Sequence, residues 1–161
     1  MNVKAELNDT TRGWLRTWSE EIASKARATC KMDGEEGIRL RKSYKAEVND
    51  SAGEALIGTP LESGYWEEFG TGEHAVDRSK SRSGWWVYTP GNPGPDGYKS
   101  TTYASEAEAE AAALYIRTKY KKDAVATNGR EPQYTLQNAF KSVSPKAEAD
   151  LKNKLRENLN E

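Results

Sequence analysis

Along residues 11–30 the apolar side chains Trp14, Leu15, Trp18, Ile22 and Ala26 recur every three or four positions, the period of a helix with one buried face. Asn8, Asp9, Thr10 and Thr11 stand just before them as N-cap oxygens. Two tryptophans bury more area than a marginal helix needs, so this face meets a sheet or a neighbouring subunit. Gly34 and Gly37 then break the pattern. Loose alternation over 43–48 and an apolar run over 55–59 flank Asn49, Asp50, Ser51 and Gly53, which predicts two short strands joined as a hairpin. Pro60 ends the second strand.

Residues 63–74, SGYWEEFGTGEH, place Tyr65, Trp66 and Phe69 on one face of a short helix and direct Glu67 and Glu68 away from it. Gly70 stops this helix, and Thr71-Gly72 leads on into a flexible loop. Residues 75–83 lack apolar periodicity and read as an exposed loop, whereas GWWVY at 84–88 is the strongest strand signal in the chain. The Pro- and Gly-dense stretch 89–97 is a turn or open loop. Beyond it a strand over 98–103, a helix capped by Ser105 and running to 119, and a strand over 123–127 form a strand-helix-strand insert, about 98–127. Glu106, Glu108 and Glu110 near the start of that helix, and Arg117, Lys119, Lys121 and Lys122 near its end, complement its dipole.

Asn128-Gly129 reads as a turn, and Pro132 suits the first position of a helix with Leu136, Ala139, Phe140 and Val143 on one face. Ser144-Pro145 restarts a helix over 145–160, whose Ala147, Leu151, Leu155 and Leu159 pack on their own domain or on another chain. The pattern defines an α+β fold: an antiparallel or mixed β-sheet packed by an N-terminal helix and C-terminal helices, with the strand-helix-strand insert. Trp14, Trp18, Tyr65, Trp66, Phe69, Trp85 and Phe140 are the expected core anchors.

Composition narrows this picture. The 161 residues, with no long repeat or low-complexity linker, predict one domain over 1–161. A hydrophobic share of 35% and a mean hydropathy of -0.93 leave a largely solvated surface around a small, aromatic-rich core. The 24 basic and 25 acidic residues give a net charge of -1, so there is no global attraction to nucleic acid or anionic membrane. Positive charge is local: Arg39, Arg41, Lys42 and Lys45 cluster around Leu40 and Tyr44, as a solvated face or one turned to phosphate or an acidic partner. The single Cys30 forms no internal disulfide and reads as a small buried hydrophobe. A polar N-terminus and the absence of a long apolar run predict a soluble protein made in the cytoplasm, without membrane association.

Candidate chemistry is sparse. His74 is the one histidine, so any Ser-His-Asp or Cys-His arrangement depends on it. Glu67 and Glu68 splay by about 100 degrees on a helix, not toward one substrate. Glu73, His74 and Asp77 follow no ligand signature, and Gly70-Thr71-Gly72 lacks the lysine of a phosphate loop. No catalytic site, cofactor or metal is expected.

Five stretches in order, LRKSYKAEV, LIGTP, GYWEEFGTGEHA, GWWVYTP and NGREPQYTLQNAF, resemble the tail-completion family of long-tailed bacteriophages, the minor-tail-component or head–tail-joining family called tenth-gene-product-like in lambdoid phages. The resemblance spans roughly 40–140, and the aromatic helix ending in EFGTG is its most specific part. Where members of the family commonly have Phe-Leu after the last proline, this chain has Gln133, Tyr134, Thr135 and Leu136, and its insert occurs in only some members.

The resemblance implies a non-enzymatic structural protein of the virion neck, made in the host cytoplasm and assembling as a homo-oligomeric ring at the head-proximal end of the tail. Its implied partners are other neck and tail proteins: a head-closure protein, the tail terminator or the tail tube. On this reading the loops 70–83 and 89–97 dock on neighbours, with Gly70, Thr71, Gly72, Glu73, His74, Arg78, Lys80 and Arg82 in the first of them. Arg39, Arg41, Lys42 and Lys45 meet acidic partner surface or DNA in the channel. The alternatives are a small nucleic-acid-binding or nuclease-like phage accessory protein using the basic patch and His74, and a host-directed inhibitor.

Overall fold

A computed structural model describes residues 3–77, 82–89 and 101–160, with the side chains of 9–77, 82–89 and 101–159. The fold is α+β, as the pattern predicts. In order it comprises α1 (Val3–Thr29), α2 (Gly34–Ser43), β1 (Lys45–Asn49), β2 (Glu54–Gly58), α3 (Glu62–Phe69), β3 (Thr71–Gly72), β4 (Trp86–Tyr88), α4 (Glu106–Tyr120), β5 (Val125–Thr127), β6 (Gly129–Arg130) and α5 (Thr135–Asn160). The strands pair antiparallel in three two-stranded ladders, β1–β2, β3–β6 and β4–β5. The chain divides into two compact units, the first of 1–31, 39–64 and 134–161, the second of 32–38 and 65–133.

In the first unit α1 packs on α5 and on the β1–β2 hairpin. The buried positions of α1, Ile22, Ala23 and Ala26, follow the helical period, and α5 answers with Ala139, Val143 and Ala147. Small residues on α5 leave room for the tryptophans of α1, whose indole N–H groups both bond to α5. Trp14 donates to the Ala147 carbonyl at 2.7 Å and Trp18 to the Asp150 carboxylate at 2.8 Å. Each keeps a polar edge at the boundary of the core, so both anchors are half-buried. Phe140, expected in the core, is exposed: the buried stripe of α5 passes through Ala139, one residue away and about 100 degrees around the helix.

Two helices depart from the sequence reading. Gly34 opens α2 where a break was expected; acidic Glu35 and Glu36 in its first turn and basic Arg41 and Lys42 in its last match the dipole. The expected restart at Pro145 is absent, because α5 runs through it. Proline removes one backbone hydrogen bond, but Ala139, Val143 and Ala147 on either side of it are buried, and that packing holds the helix together. The start of α5 also lies three residues beyond Pro132, after Tyr134 in the left-handed region at φ 51°.

The second unit has its core where Val87, Ala113 and Ala124 meet, with Tyr103, Ala112 and Ile116 packed around them. Helix α4 lies on β4 and β5. Its N-cap is Ser105, whose hydroxyl accepts from the Glu108 N–H at 3.3 Å, while the Glu108 carboxylate reaches back past the cap to accept from the Ala104 N–H at 3.1 Å, a variant of the capping box. The expected strand 98–103 contributes a single bridge, Tyr103 to Trp85; 98–100 and most of the Pro- and Gly-dense loop, 90–97, lie outside the described residues. Trp85, an expected anchor, is half-buried beside that bridge. Among the described residues no helix is long and apolar enough to cross a membrane.

Candidate functional site

In the second unit a closely tied substructure joins the end of α3 to the segment 127–133. Helix α3 ends at Gly70, which takes the left-handed conformation at φ 73° as its sequence suggests. The next two residues, expected as a flexible loop, form β3, which pairs with β6 through Thr71↔Arg130 and Gly72↔Gly129. The expected turn at Asn128-Gly129 is thereby drawn into a ladder. A Cβ at Gly72 would fall 2.0 Å from the Asn128 carbonyl oxygen, so the two backbones approach as only glycine allows.

Glu67 changes the picture of α3. It points away from the aromatic face as predicted, but that direction is the interior: its side chain is 0% exposed and meets Arg130 at 3.0 Å. Its backbone carbonyl accepts from the Gln133 N–H at 2.8 Å. With Glu67 inside, the opposite face of α3 is outside. Tyr65 and Phe69, expected as core anchors, are exposed and tilt against each other with ring centroids 4.9 Å apart, while Trp66 is half-buried. A carboxylate takes the interior position because a guanidinium on β6 reaches it there, a long-range pairing that no local pattern reveals.

The loop residues expected to dock on neighbours are pinned over their first part. Glu73 donates its N–H to the Asn128 carbonyl at 2.9 Å, and its carboxylate accepts from the Asn128 amide at 3.2 Å. His74 Nδ1 lies 2.7 Å from the Glu131 carboxylate. Val76, just beyond, is exposed. Arg78 and Lys80 lie outside the described residues. Arg82 donates to the Thr102 hydroxyl at 2.9 Å and stands over the Trp86 ring, 5.3 Å from its centroid. A cavity of about 560 Å³ in the same unit is lined by Trp66, Trp86, Tyr88, Arg82 and Arg130.

In the first unit the basic cluster does not present four equivalent charges. Arg39 and Lys42 are exposed on α2, Arg41 is half-buried with its guanidinium donating to the Cys30 carbonyl at 3.4 Å, and Lys45 pairs with Glu47 at 2.6 Å. Cys30 itself is buried. Among the described residues no three His, Cys, Asp or Glu side chains come together to hold a metal ion.

A feature without a sequence signal lies in this unit. Between α1, the hairpin and α5 runs a groove of about 780 Å³ walled by Trp14, Trp18, Val48, Ile57 and Ala147, with Leu56, 72% exposed, and Phe140, 55% exposed, among its lining. Both residues had apolar identity to mark them, but periodicity could not say that they would be exposed.

No protein-family model, curated protein or solved structure matches the chain.

Proposed function

We propose that this protein is a structural component of the neck of a long-tailed bacteriophage, completing the tail and joining it to the head as part of a ring. One observation carries the reading: two stretches behind the family resemblance, GYWEEFGTGEHA and NGREP, are built into a single substructure by the Thr71↔Arg130 and Gly72↔Gly129 pairs and the buried Glu67–Arg130 contact. The motif residues thus have a common structural reason, an aromatic surface helix locked to a strand. The exposed Tyr65 and Phe69 and the apolar groove of the first unit suit a protein whose surfaces meet partners in an assembly. The partners proposed are head-closure, tail-terminator or tail-tube proteins and further copies of this chain.

A phage deleted for this gene tests the reading. Filled heads and finished tails that fail to join, with joining restored by the gene supplied in trans, are the expected outcome. Normal yields of joined, infectious particles from the deletion would overturn it.

A further inference from the structure

We infer that the outer face of α4 is a docking helix, and that it seats in the α1–hairpin–α5 groove of a second copy of this chain. The inference deepens the ring reading above, because a contact between two different surfaces is the kind that propagates around a ring.

Helix α4 carries two apolar faces. Ala109, Ala113 and Ile116 face its own unit. Ala107, Ala111 and Leu114, at intervals of four and three, fall on the opposite side and are exposed. Leu114 is 57% exposed and Tyr115 54%. A helix serving only its own core needs one such face.

The charged groups of α4 divide in a way that sets its polarity. Exposed Glu106 and Glu108 keep the first turn acidic, Glu108 also accepting from the Ala104 N–H, and Glu110 pairs with Arg117. At the other end Lys119 bonds the Tyr115 hydroxyl and lies over the rings of Tyr115 and Tyr120, 5.0 and 5.5 Å from their centroids, with exposed Lys121 and Lys122 following. Exposed tyrosines held by a cation are residues of the kind that anchor interfaces.

The groove is the complement. Its lining is mostly apolar, and the carboxylates among it are Glu47, Glu54 and Glu148, all exposed; Glu47 is already paired with Lys45, so Glu54 and Glu148 form the acidic rim. Apolar α4 residues would fill the groove and the basic end would meet this acidic rim, so that apolar burial supplies affinity and charge fixes the direction of the helix. A second copy of the chain carries both halves, so the same contact can repeat around a ring.

Two single-cysteine proteins test this in solution, Leu56→Cys and Leu114→Cys, each also carrying Cys30→Ala and each verified as folded by circular dichroism. Mixed at high concentration and oxidised, they are expected to give mainly the 56–114 cross-linked heterodimer over either homodimer. Adding Lys121→Glu and Lys122→Glu to the 114 partner should cut that yield several-fold, and Glu54→Lys with Glu148→Lys in the 56 partner should restore it. Cross-linking no greater between unlike than between like proteins, or a yield indifferent to the charge changes, would overturn the inference. No phage is involved, so the neck reading and this contact can fail separately.

Discussion

The Glu67 carboxylate, without exposed surface, meets the Arg130 guanidinium at 3.0 Å and fixes α3 to β6. Removing one partner of a buried ion pair leaves the other charged and desolvated, at a cost of about 3 to 5 kcal/mol. Arg130→Met is therefore expected to lower stability by about that amount, the change registering in the second unit. Glu67→Gln, which keeps size and hydrogen bonding, should cost less. Denaturant titration followed by hydrogen exchange in 65–77 and 127–133 reads both.

Gly72→Ala meets a different obstacle. The new Cβ would lie 2.0 Å from a backbone carbonyl and 2.7 Å from Gly129 Cα, at a φ of 61°. Backbone cannot swing aside as a side chain does, so the β3–β6 ladder must open, with an expected loss of roughly 2 to 4 kcal/mol. Gly13→Ala, whose added Cβ meets nothing within 4 Å on a helix, should stabilise by up to about 1 kcal/mol; thermal melts read both changes.

Acid should loosen α1 from α5. The Trp18 indole N–H, and after it Lys154, hold the Asp150 carboxyl below the usual aspartate range. A carboxylate with a lowered folded-state pKa stabilises the fold above its unfolded value, and the contribution disappears as pH falls through the folded one. The melting temperature should thus drop on acidification below the ordinary aspartate range. Trp18→Phe, which removes the indole donor, should flatten that part of the profile, as should Asp150→Asn.

Pro145→Ala tests why α5 tolerates its interior proline. An interior proline costs a helix about 3 kcal/mol relative to alanine, against about 0.4 to 1 kcal/mol gained by restricting the unfolded chain. The first term is larger, so the substitution is expected to stabilise the first unit by about 2 kcal/mol in chemical denaturation.

What the sequence disclosed was local. Periodicity marked α1 and the Ser105 cap marked α4, while the turn residues between 49 and 53 marked the hairpin. What it withheld depended on partners distant in the chain. Nothing beside Glu67 announces Arg130, and nothing beside Gly129 announces a strand, because two residues pair as a ladder only when Thr71 and Gly72 arrive opposite them. The continuity of α5 through Pro145 was hidden for the same reason, since the small buried stripe that holds it is matched to α1. For the candidate surfaces, sequence located the aromatics of α3 but put them on the wrong side, and gave no sign of the groove.

The first unit takes its segments from both sides of the second in sequence, and this orders events on the ribosome. Helix α1 emerges early, yet α5, the helix that accepts both of its indole hydrogen bonds, is translated only after all of 65–133. At elongation rates of about 5 to 20 residues per second, Trp14 and Trp18 wait several seconds or more without their partner. During that interval nascent chains on one message present unfilled tryptophan faces side by side, so a chaperone that shields α1 would raise the yield of folded protein more than one acting on the released chain.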